Sequence, residues 1–341
     1  MGKIKVILVG CGGQARAWLE YVTMRKTEQV QVVGLVDIVR ENAERYKGEF
    51  GLECGIFSDL ETALEQTGAT LVFDVTSPAA RPVLVQTALR HGCDVFCEKP
   101  MAETMEEAKA MLDCMKDTGK TISVMQNWRY SAGVRALADL VREGTIGQVG
   151  FLAADFYKGR HIGGYREQQD NPLLKDLGIH TFDSARCILG ADPVSVYCKE
   201  FNPAGSWFKG DANAAAVFEM SNGAVFSYRG SFCSYGLETA WEAGWRVNGS
   251  DGSAVWTNDQ VLKCEIMEDG KLLSKPVRCE SDFKADYNYA FFACMDDIFD
   301  AYEKGIDAPT GARDNIYSVA MVLKAIESSK TGKKVYFDSF D

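Results

Sequence analysis

The stretch IKVILVGCGGQARAWLE, residues 4–20, sets the fold prediction for the first part of the chain. Five of its first six residues, Ile4, Val6, Ile7, Leu8 and Val9, form a short apolar run of the kind found in strands that are buried on both faces. Apolar residues then follow at helical spacing: Ala15, Trp18, Leu19 and Val22. The stretch therefore predicts a buried strand, a tight turn and a helix in immediate succession.

The turn carries the pattern Gly10-x-Gly12-x-x-Ala15. Gly10 permits a sharp turn, Gly12 has no Cβ to obstruct a phosphate, and small Ala15 allows the helix to pack closely on the strand. A pyrophosphate would then lie at the helix N terminus, where N–H groups and the helix dipole favour negative charge. The alternative is a glycine-rich turn in some other α/β protein.

A second apolar strand, Val30 to Val36, ends in Asp37 and strengthens the dinucleotide interpretation. The Asp37 carboxylate is placed to accept hydrogen bonds from ribose hydroxyls and would repel a 2′-phosphate. We therefore expect NAD to be preferred as the cofactor. Arg40 lies close enough in sequence to accommodate a phosphate, which keeps NADP possible.

Length and charge restrict the fold and the partners. A chain of 341 residues predicts two domains. The net charge is −11 and no basic run occurs, which argues against nucleic acid or an anionic membrane surface as the partner. No apolar stretch is long enough to span a membrane.

The cysteines and histidines predict neither disulfides nor a metal site. None of the 11 cysteines forms a C-x-x-C pair, and the N terminus has no secretory signal, so we expect free thiols in the cytoplasm. The three histidines, His91, His161 and His180, form no ligand cluster in sequence. We therefore expect no metal.

Strand and helix patterns alternate through residues 1–124, which predicts a doubly wound parallel sheet. After residue 37, strands are expected at 55–57, 71–75, 94–97 and 121–125, and helices at 40–47, 60–66, 82–91 and 104–116. Ligands of such sheets bind outside the carboxyl ends of the strands. Glu98-Lys99-Pro100 follows one strand directly, so Lys99 is predicted to lie beside the cofactor.

Residues 125–341 predict a second, α+β domain with an open, mainly antiparallel sheet. A helix is expected at 134–143, and Asn222-Gly223 and Glu268-Asp269-Gly270 are typical hairpin turns. Two further helices are expected at 286–304, with Tyr289, Phe292, Met295 and Phe299 on its apolar side, and at 313–329. A sheet covered by helices on one face leaves the other for association, so a homodimer or homotetramer is predicted.

Asp176, His180 and Asp183 follow one another at spacings of four and three, which places them on one face of a helix. A histidine beside a carboxylate can cycle a proton near neutral pH, as alcohol oxidation requires. The structural alternative is that Asp176 caps the helix and His180 is a satisfied surface residue.

Over nearly its full length the chain resembles the Gfo/Idh/MocA oxidoreductase family. The matching residues are Gly10, Gly12 and Ala15; Asp37; Glu98-Lys99-Pro100; Asn127 and Arg129; and Asp176, Gly178, His180 and Asp183. The resemblance implies a Rossmann domain and NAD(P)-dependent hydride transfer to or from a secondary alcohol of a sugar, cyclitol or related polyol. It implies that Lys99 and His180 act at the substrate hydroxyl, and that Asp176 binds substrate and orients the histidine.

The predicted site residues fall into three groups. The catalytic residues are Lys99, Asp176 and His180. The cofactor contacts are Gly10, Gly12, Gly13, Gln14, Ala15, Asp37, Ser77, Pro78, Glu98, Lys99 and Asn127. The substrate contacts are Lys99, Arg129, Tyr157, Arg160, Asp176 and His180, with Lys158, His161, Tyr165 and Trp241 as further candidates.

The chain departs from the family pattern at two places. Ser77-Pro78-Ala79-Ala80-Arg81-Pro82 stands where the family often has Thr-Pro-Asn-x-x-His, so the contacts of that Asn and His do not carry over. Asp170-Asn171-Pro172 replaces the glycines that often precede the histidine segment.

Two other functions remain open from the sequence. One is an NAD-dependent, redox-assisted glycoside hydrolysis, in which the cofactor is recycled without net reduction. The other is a cofactor-binding sensor without catalysis, which has no need of a complete Lys, Asp and His set.

Overall fold

The computed structural model describes residues 2–257, 262–275 and 287–340, and the structural statements below refer to these ranges. The chain folds as two compact units. Residues Met1–Gln126 and Phe291–Ile316 form the first, and residues Asn127–Ala290 and Tyr317–Asp341 form the second.

The first unit contains a six-stranded sheet in the order β3-β2-β1-β4-β5-β6, in which all neighbours are parallel. The strands are β1 (Ile4–Val9), β2 (Val30–Val36), β3 (Gly55–Phe57), β4 (Leu71–Asp74), β5 (Asp94–Glu98) and β6 (Ile122–Met125). The connecting helices are α1 (Ala15–Arg25), α2 (Arg40–Glu49), α3 (Leu60–Thr67), α4 (Arg81–Arg90) and α5 (Met105–Thr118). This strand order is that of the dinucleotide-binding doubly wound fold, and it confirms the predicted class.

Local sequence signals account for several helix ends in this unit. The Thr104 hydroxyl accepts from the Glu107 N–H while the Glu107 carboxylate accepts from the Thr104 N–H, and this capping box begins α5. The helix ends at Gly119, which adopts a left-handed conformation with φ +69°. Asp59 caps α3 in a similar way by accepting from the Thr62 N–H.

Helix α8 (Tyr287–Lys304) contributes to the first unit from Phe291 onward, whereas all of residues 125–341 were predicted to form the second domain. Phe299 stacks on Tyr21 of α1 at 5.7 Å between ring centroids and meets Phe96 of β5 edge-on at 5.2 Å. The Tyr21 hydroxyl donates to Asp296 at 2.7 Å. These side-chain contacts join segments far apart in sequence, so a single boundary near residue 124 does not describe the chain.

The predicted apolar side of α8 is only partly buried. Phe292, Met295 and Phe299 are buried, whereas Tyr289 is 50% exposed. Residue 286, the expected start of this helix, lies outside the described residues. The last helix, α9 (Ala312–Thr331), begins one residue before the predicted position.

The second unit contains a nine-stranded sheet in the order β14-β13-β12-β11-β7-β10-β9-β8-β15. The strands are β7 (Val149–Tyr157), β8 (Pro193–Phe201), β9 (Asn213–Met220), β10 (Val225–Ser231), β11 (Gly244–Gly249), β12 (Gly252–Trp256), β13 (Leu262–Glu268), β14 (Lys271–Lys275) and β15 (Val335–Tyr336). Among the described strands of this sheet only β7 and β10 pair in parallel, which confirms the mainly antiparallel sheet. The two predicted hairpin turns join β9 to β10 and β13 to β14.

Helices α6 (Ala132–Arg142) and α7 (Ile179–Leu189) belong to this unit, and α7 packs on β7. Side chains of β7, β8 and β9 alternate between buried and more exposed positions. One face of the sheet is therefore covered and carries the core, as the sequence predicts.

Candidate active site

The glycine turn of the first unit has the geometry that a dinucleotide requires. Gly10 has φ +89°, and a Cβ there would lie 2.8 Å from the Val75 carbonyl group, so only glycine fits. At Gly12 and Gly13 a Cβ would meet no atom within 4 Å, which leaves open space above the turn. Helix α1 begins at Ala15 without a side-chain cap and without an acidic residue in its first turn, which suits an anion at this terminus.

Asp37 holds this turn in place. One carboxylate oxygen accepts from the Cys11 N–H at 2.7 Å and the other from the Val39 N–H at 2.8 Å. A carboxylate oxygen has two acceptor positions, so Asp37 retains capacity for ribose hydroxyls. Arg40 is paired with Glu44 at 2.8 Å on the surface of α2. The turn and Asp37 together fit NAD.

Glu98 and Lys99 lie where β5 ends. Glu98 is buried and accepts from the Trp18 indole N–H at 2.8 Å. Burial raises the pKa of its carboxyl above the ordinary value, although the Trp18 hydrogen bond and the nearby Arg81 oppose the rise. Lys99 follows in a partly exposed position. The structure thus places the Lys99 side chain at the carboxyl edge of the parallel sheet, as predicted.

Arg81 joins the segments that follow β4 and β5, a role that no sequence pattern indicated. Its guanidinium donates to the carbonyls of Thr76 and Pro100, and its Nε lies 3.6 Å from Asp74, with both side chains 1% exposed. Ser77 and Pro78 precede α4. The Ser77 carbonyl accepts hydrogen bonds from the N–H groups of Ala80 and Arg81, where this helix begins. The departure from the family motif therefore places a buried arginine beside the Lys99 segment.

His180 lies in the first turn of α7 and is 5% exposed. Its ring stacks on Trp128 with centroids 4.2 Å apart and planes inclined by 15°. Trp128 belongs to a 3₁₀ turn, Asn127–Tyr130, and no sequence pattern indicated this contact. The structure puts the predicted cofactor contact Asn127 in this turn, 4% exposed, at the start of the second unit.

Asp176 lies in a π-helical turn, Leu173–Gly178, that leads directly into α7. Such turns are rare and often occur at functional sites. The Asp176 carboxylate accepts from the Arg166 guanidinium at 2.9 Å and its side chain is 13% exposed. Asp176 and His180 thus belong to one continuous helical segment, but its first turn is wider than the regular helix that the spacing predicted.

Arg129 and Asp183 form a buried ion pair. The Arg129 Nε lies 2.7 Å from one Asp183 oxygen, and the Ser318 hydroxyl donates to the other at 2.8 Å. Asp183 is fully buried and Arg129 is 7% exposed. Arg129 is a predicted substrate contact, and in the structure its guanidinium is paired with Asp183.

The remaining predicted substrate contacts, Tyr157 and Arg160, lie near the end of β7 and have different surroundings. Tyr157 follows buried Phe156 in β7, so its side chain lies on the opposite face of the sheet. Asp155, which pairs with exposed Arg229, is on the same face as Tyr157. Since α7 packs on the other face, Tyr157 points away from the helix that carries His180. Arg160 is 58% exposed and pairs with Glu238 at 2.9 Å.

The further candidates lie in the loops of the same unit. The His161 ring stacks on Trp207 at 4.0 Å, and its Nε2 lies 2.7 Å from the Tyr235 hydroxyl. Tyr165 belongs to a short helical turn, Gly164–Gln168. Lys158 and Trp241 are neighbours, with the ammonium 4.9 Å from the ring centroid.

The metal and membrane predictions bear on residues 2–257, 262–275 and 287–340. No group of three His, Cys, Asp or Glu side chains able to hold a metal ion occurs among these residues. No helix within them has the length and hydropathy needed to cross a membrane.

The chain is similar to known oxidoreductases over nearly its full length. D-apiose dehydrogenase of Rhizobium rhizogenes is 25% identical over 352 residues, which cover 98% of each chain. Inositol 2-dehydrogenase of Rhizobium meliloti is 24% identical and covers 87% of this chain and 89% of its own.

Solved structures share the fold. An oxidoreductase from Agrobacterium radiobacter, in complex with NAD⁺, L-tartaric acid and magnesium, superposes with a TM-score of 0.88 at 22% identity and covers 98% of both chains. Levoglucosan dehydrogenase in complex with NADH gives a TM-score of 0.86 at 19% identity, over 99% of this chain and all of the other.

Sequence models of one family match both halves of the chain. The model described as an oxidoreductase family with an NAD-binding Rossmann fold matches residues 4–126, and the Gfo/Idh/MocA C-terminal domain model matches residues 134–255. The chain therefore belongs to the Gfo/Idh/MocA family of NAD-binding oxidoreductases, as its sequence motifs indicated.

Proposed function

We propose that this protein oxidises a secondary alcohol of a sugar, cyclitol or related polyol with NAD, or catalyses the reverse reduction. The observation that carries the proposal is His180, buried in the helical segment that also holds Asp176, in a chain whose glycine turn fits a dinucleotide. Relatives named for D-apiose, inositol and 1,5-anhydro-D-fructose support the substrate class.

The residues divide the work of alcohol oxidation. Residues Met1–Gln126 hold the cofactor through the glycine turn, Asp37 and the segment Ser77–Pro78, and residues from Asn127 onward hold the substrate. When bound there, NAD would supply the acceptor for the hydride of the carbinol carbon. Lys99 donates a hydrogen bond to the reacting oxygen, and His180 takes the hydroxyl proton. Asp176 binds the substrate and orients the histidine.

A substrate panel tests the proposed function. Purified protein is mixed with NAD and with sugars and cyclitols in turn, and the absorbance of reduced nicotinamide is followed. We expect NAD reduction with at least one polyol. NADH binding without turnover across the panel would favour the sensor, and cleavage of a glycoside without net reduction would favour redox-assisted hydrolysis.

The contacts of Asp37 predict a preference for NAD over NADP. Its carboxylate lies beside the glycine turn, where it would repel a 2′-phosphate, and Arg40 is already paired with Glu44. Asp37→Ser should narrow the difference between the two dissociation constants. Titration by intrinsic fluorescence measures both, and tighter binding of NADP than of NAD by the unaltered protein would contradict the assignment.

We propose that two copies associate through the exposed face of the second sheet, as a homodimer or within a homotetramer. Tyr197 and Val217 are cross-strand partners on this face and are 52% and 48% exposed, and Phe151 is 40% exposed. Exposed apolar groups on one sheet face favour an interface. Val217→Asp should shift the protein toward monomer in analytical ultracentrifugation, and an unaltered protein that is monomeric at all concentrations would refute this.

We also propose that the protein works in the cytoplasm. Its most closely spaced cysteines, Cys93 and Cys97, are free buried thiols, and burial raises the pKa of the Cys93 thiol to about 11. Such thiols persist in a reducing compartment.

A further inference from the structure

We propose that Arg81 is a positioning residue for the reaction: it links the segments that follow β4 and β5 and thereby sets the position of Lys99. The inference rests on the proposed function, in which Lys99 donates to the reacting oxygen. It adds the side chain that holds Lys99 in place, and every contact that it uses lies within the first unit.

The Arg81 guanidinium bridges two segments at the carboxyl edge of the parallel sheet. One terminal nitrogen donates to the Pro100 carbonyl and the other donates to the Thr76 carbonyl. Strands β4 and β5 are parallel neighbours, so both segments leave the sheet at the same edge. The N–H groups of a guanidinium form a planar, rigid fork, and the two carbonyls are therefore held at one separation.

The two carbonyls, rather than Asp74, determine the orientation of this guanidinium. The Arg81 Nε lies 3.6 Å from one Asp74 oxygen, and in the described part of the chain neither of these two atoms has a hydrogen-bond partner. A guanidinium and a carboxylate frequently pair through two parallel hydrogen bonds. Arg81 does not adopt that arrangement, although both side chains are buried. Its terminal nitrogens are directed at the backbone instead.

The charges around Arg81 balance and call for no further ionic ligand. Asp74 and Glu98 are the acidic side chains that interact here, and Arg81 and Lys99 are the basic ones. Burial raises the pKa of both carboxyls, and Arg81 opposes the rise in each. The nearby Cys97 thiol is neutral, because burial raises its pKa as well. The role of Arg81 therefore lies in its two backbone contacts.

The position of Arg81 in its helix is unfavourable by itself. Arg81 is the first residue of α4, whose first turn contains no acidic side chain, and the helix dipole disfavours a cation at this end. Burial of the charge adds to the cost. Such departures from a local rule are expected at functional sites. Here the contact that offsets the cost is made to Pro100, which directly follows Lys99.

Lys99 lies between two anchored residues. On one side the Glu98 carboxylate accepts from the Trp18 indole N–H at 2.8 Å, and on the other the Pro100 carbonyl accepts from Arg81. The backbone that carries the Lys99 side chain is thus fixed at both ends. A catalytic group must be held within about 0.5 Å of its productive position, and a misplacement of about 1 Å can lower the rate by about 10²-fold.

The structural alternative is that Arg81 only neutralises Asp74 and so stabilises the first unit. A lysine at position 81 would then suffice, because it supplies the same charge. Under the proposal it does not suffice, because a single ammonium cannot reproduce the rigid fork between the two carbonyls. Arg81→Lys is therefore the decisive variant, since it keeps the counter-ion of Asp74 and removes the fork.

The kinetic test is a double-mutant cycle between Arg81→Lys and Lys99→Met, with NAD and the best polyol of the substrate panel both saturating. We expect Arg81→Lys alone to lower kcat by about 10- to 100-fold. In the Lys99→Met background the same change should lower kcat by no more than about twofold, because the group that Arg81 places is already absent. Arg90→Lys, at the exposed C-terminal end of α4, is the matched control and should leave kcat unchanged.

A second variant guards against a failure of Arg81→Lys to fold. Arg81→Met combined with Asp74→Asn removes both charges of the pair together with the link, while Glu98 and Lys99 keep their opposite charges. It should show the same loss of kcat and the same dependence on Lys99. Circular dichroism and thermal unfolding identify the folded variants.

A crystal structure of the cofactor-free Arg81→Lys variant gives a readout that needs no substrate. Compared with a crystal structure of the unaltered protein, the Pro100 carbonyl and the Lys99 Cα should be displaced by about 1 Å relative to β5. A role in neutralising Asp74 alone would leave both atoms where they are.

Full activity of Arg81→Lys would overturn the proposal. So would an equal fold loss of kcat with and without Lys99, or an unmoved Lys99 backbone in the variant. Turnover of a polyol in any of these cases would leave the proposed function intact. A protein that turns over no polyol would count against that function, and the position of the Lys99 backbone in Arg81→Lys would still decide the role of Arg81.

Discussion

Lys99→Met is expected to lower kcat by about 10²- to 10³-fold, by analogy with the loss of an oxyanion-hole donor. Methionine keeps the length of the side chain and removes the charge that stabilises the developing alkoxide. Lys99 lies at the carboxyl end of β5, and the buried Glu98 and Arg81 fix the chain on either side of it. The effect should therefore appear in kcat, measured by NADH formation at saturating substrate, and not in folding.

Two measurements separate catalysis from structure in this variant. The dissociation constant for NAD and the thermal unfolding midpoint should stay near those of the unaltered protein, because an exposed ion pair of a lysine contributes about 0–1 kcal/mol. Lys116→Met, at an exposed position in the last turn of α5, is the control and should retain full activity. Turnover of Lys99→Met within a few-fold of the unaltered protein would show that the assignment is wrong.

The glycine turn, Asp37 and the parallel sheet were predictable because their signals are local. The turn needs one positive φ at Gly10 and a small residue at Ala15, and both are visible within six residues of sequence. The same holds for the Asn222-Gly223 hairpin, where Gly223 has φ +84°. At these positions the backbone conformation that the local sequence favours is the one that the tertiary fold requires.

Arg81 and Trp128 were not predictable in this way, because their roles depend on partners far along the chain. Arg81 meets the Pro100 carbonyl, and Trp128 meets His180 more than fifty residues later. The one available signal for Arg81 was a charged residue directly before the apolar run Pro82–Val85. For Trp128 the sequence offers an aromatic residue between two motif positions and nothing more.

The position of α8 in the first unit was not predictable from the sequence for a related reason. Its apolar periodicity predicted that one face of the helix is buried, but not which surface covers that face. Phe299 packs on Tyr21 and Phe96, which are far from it in the sequence. Tyr157 and Arg129 illustrate the same point within the second unit. Residue type suggested that both are substrate contacts, but it did not indicate that Tyr157 lies on the sheet face opposite to α7 or that Arg129 pairs with Asp183.

The second large effect is expected from Asp183→Asn, which should lower the free energy of unfolding by about 3–5 kcal/mol. The substitution keeps the shape of the side chain but removes the buried carboxylate that pairs with the Arg129 guanidinium. The Ser318 hydroxyl accepts a hydrogen bond from Arg186 and donates one to Asp183. The substitution would remove the charge of its acceptor. Urea-induced unfolding of the cofactor-free protein measures the change.

Matched variants test whether this pair is structural. Asp139→Asn removes the acidic partner of exposed Arg142 and should change the free energy of unfolding by no more than about 1 kcal/mol. Arg129→Met combined with Asp183→Asn should recover part of the loss, because the double variant removes both charges of this pair. Since Asp183 lies one turn after His180, the single variant should also lower kcat through the placement of the histidine. If Asp183→Asn changes the free energy of unfolding by less than about 1 kcal/mol and raises KM, the pair is not mainly structural, and Arg129 would be supported as a substrate contact.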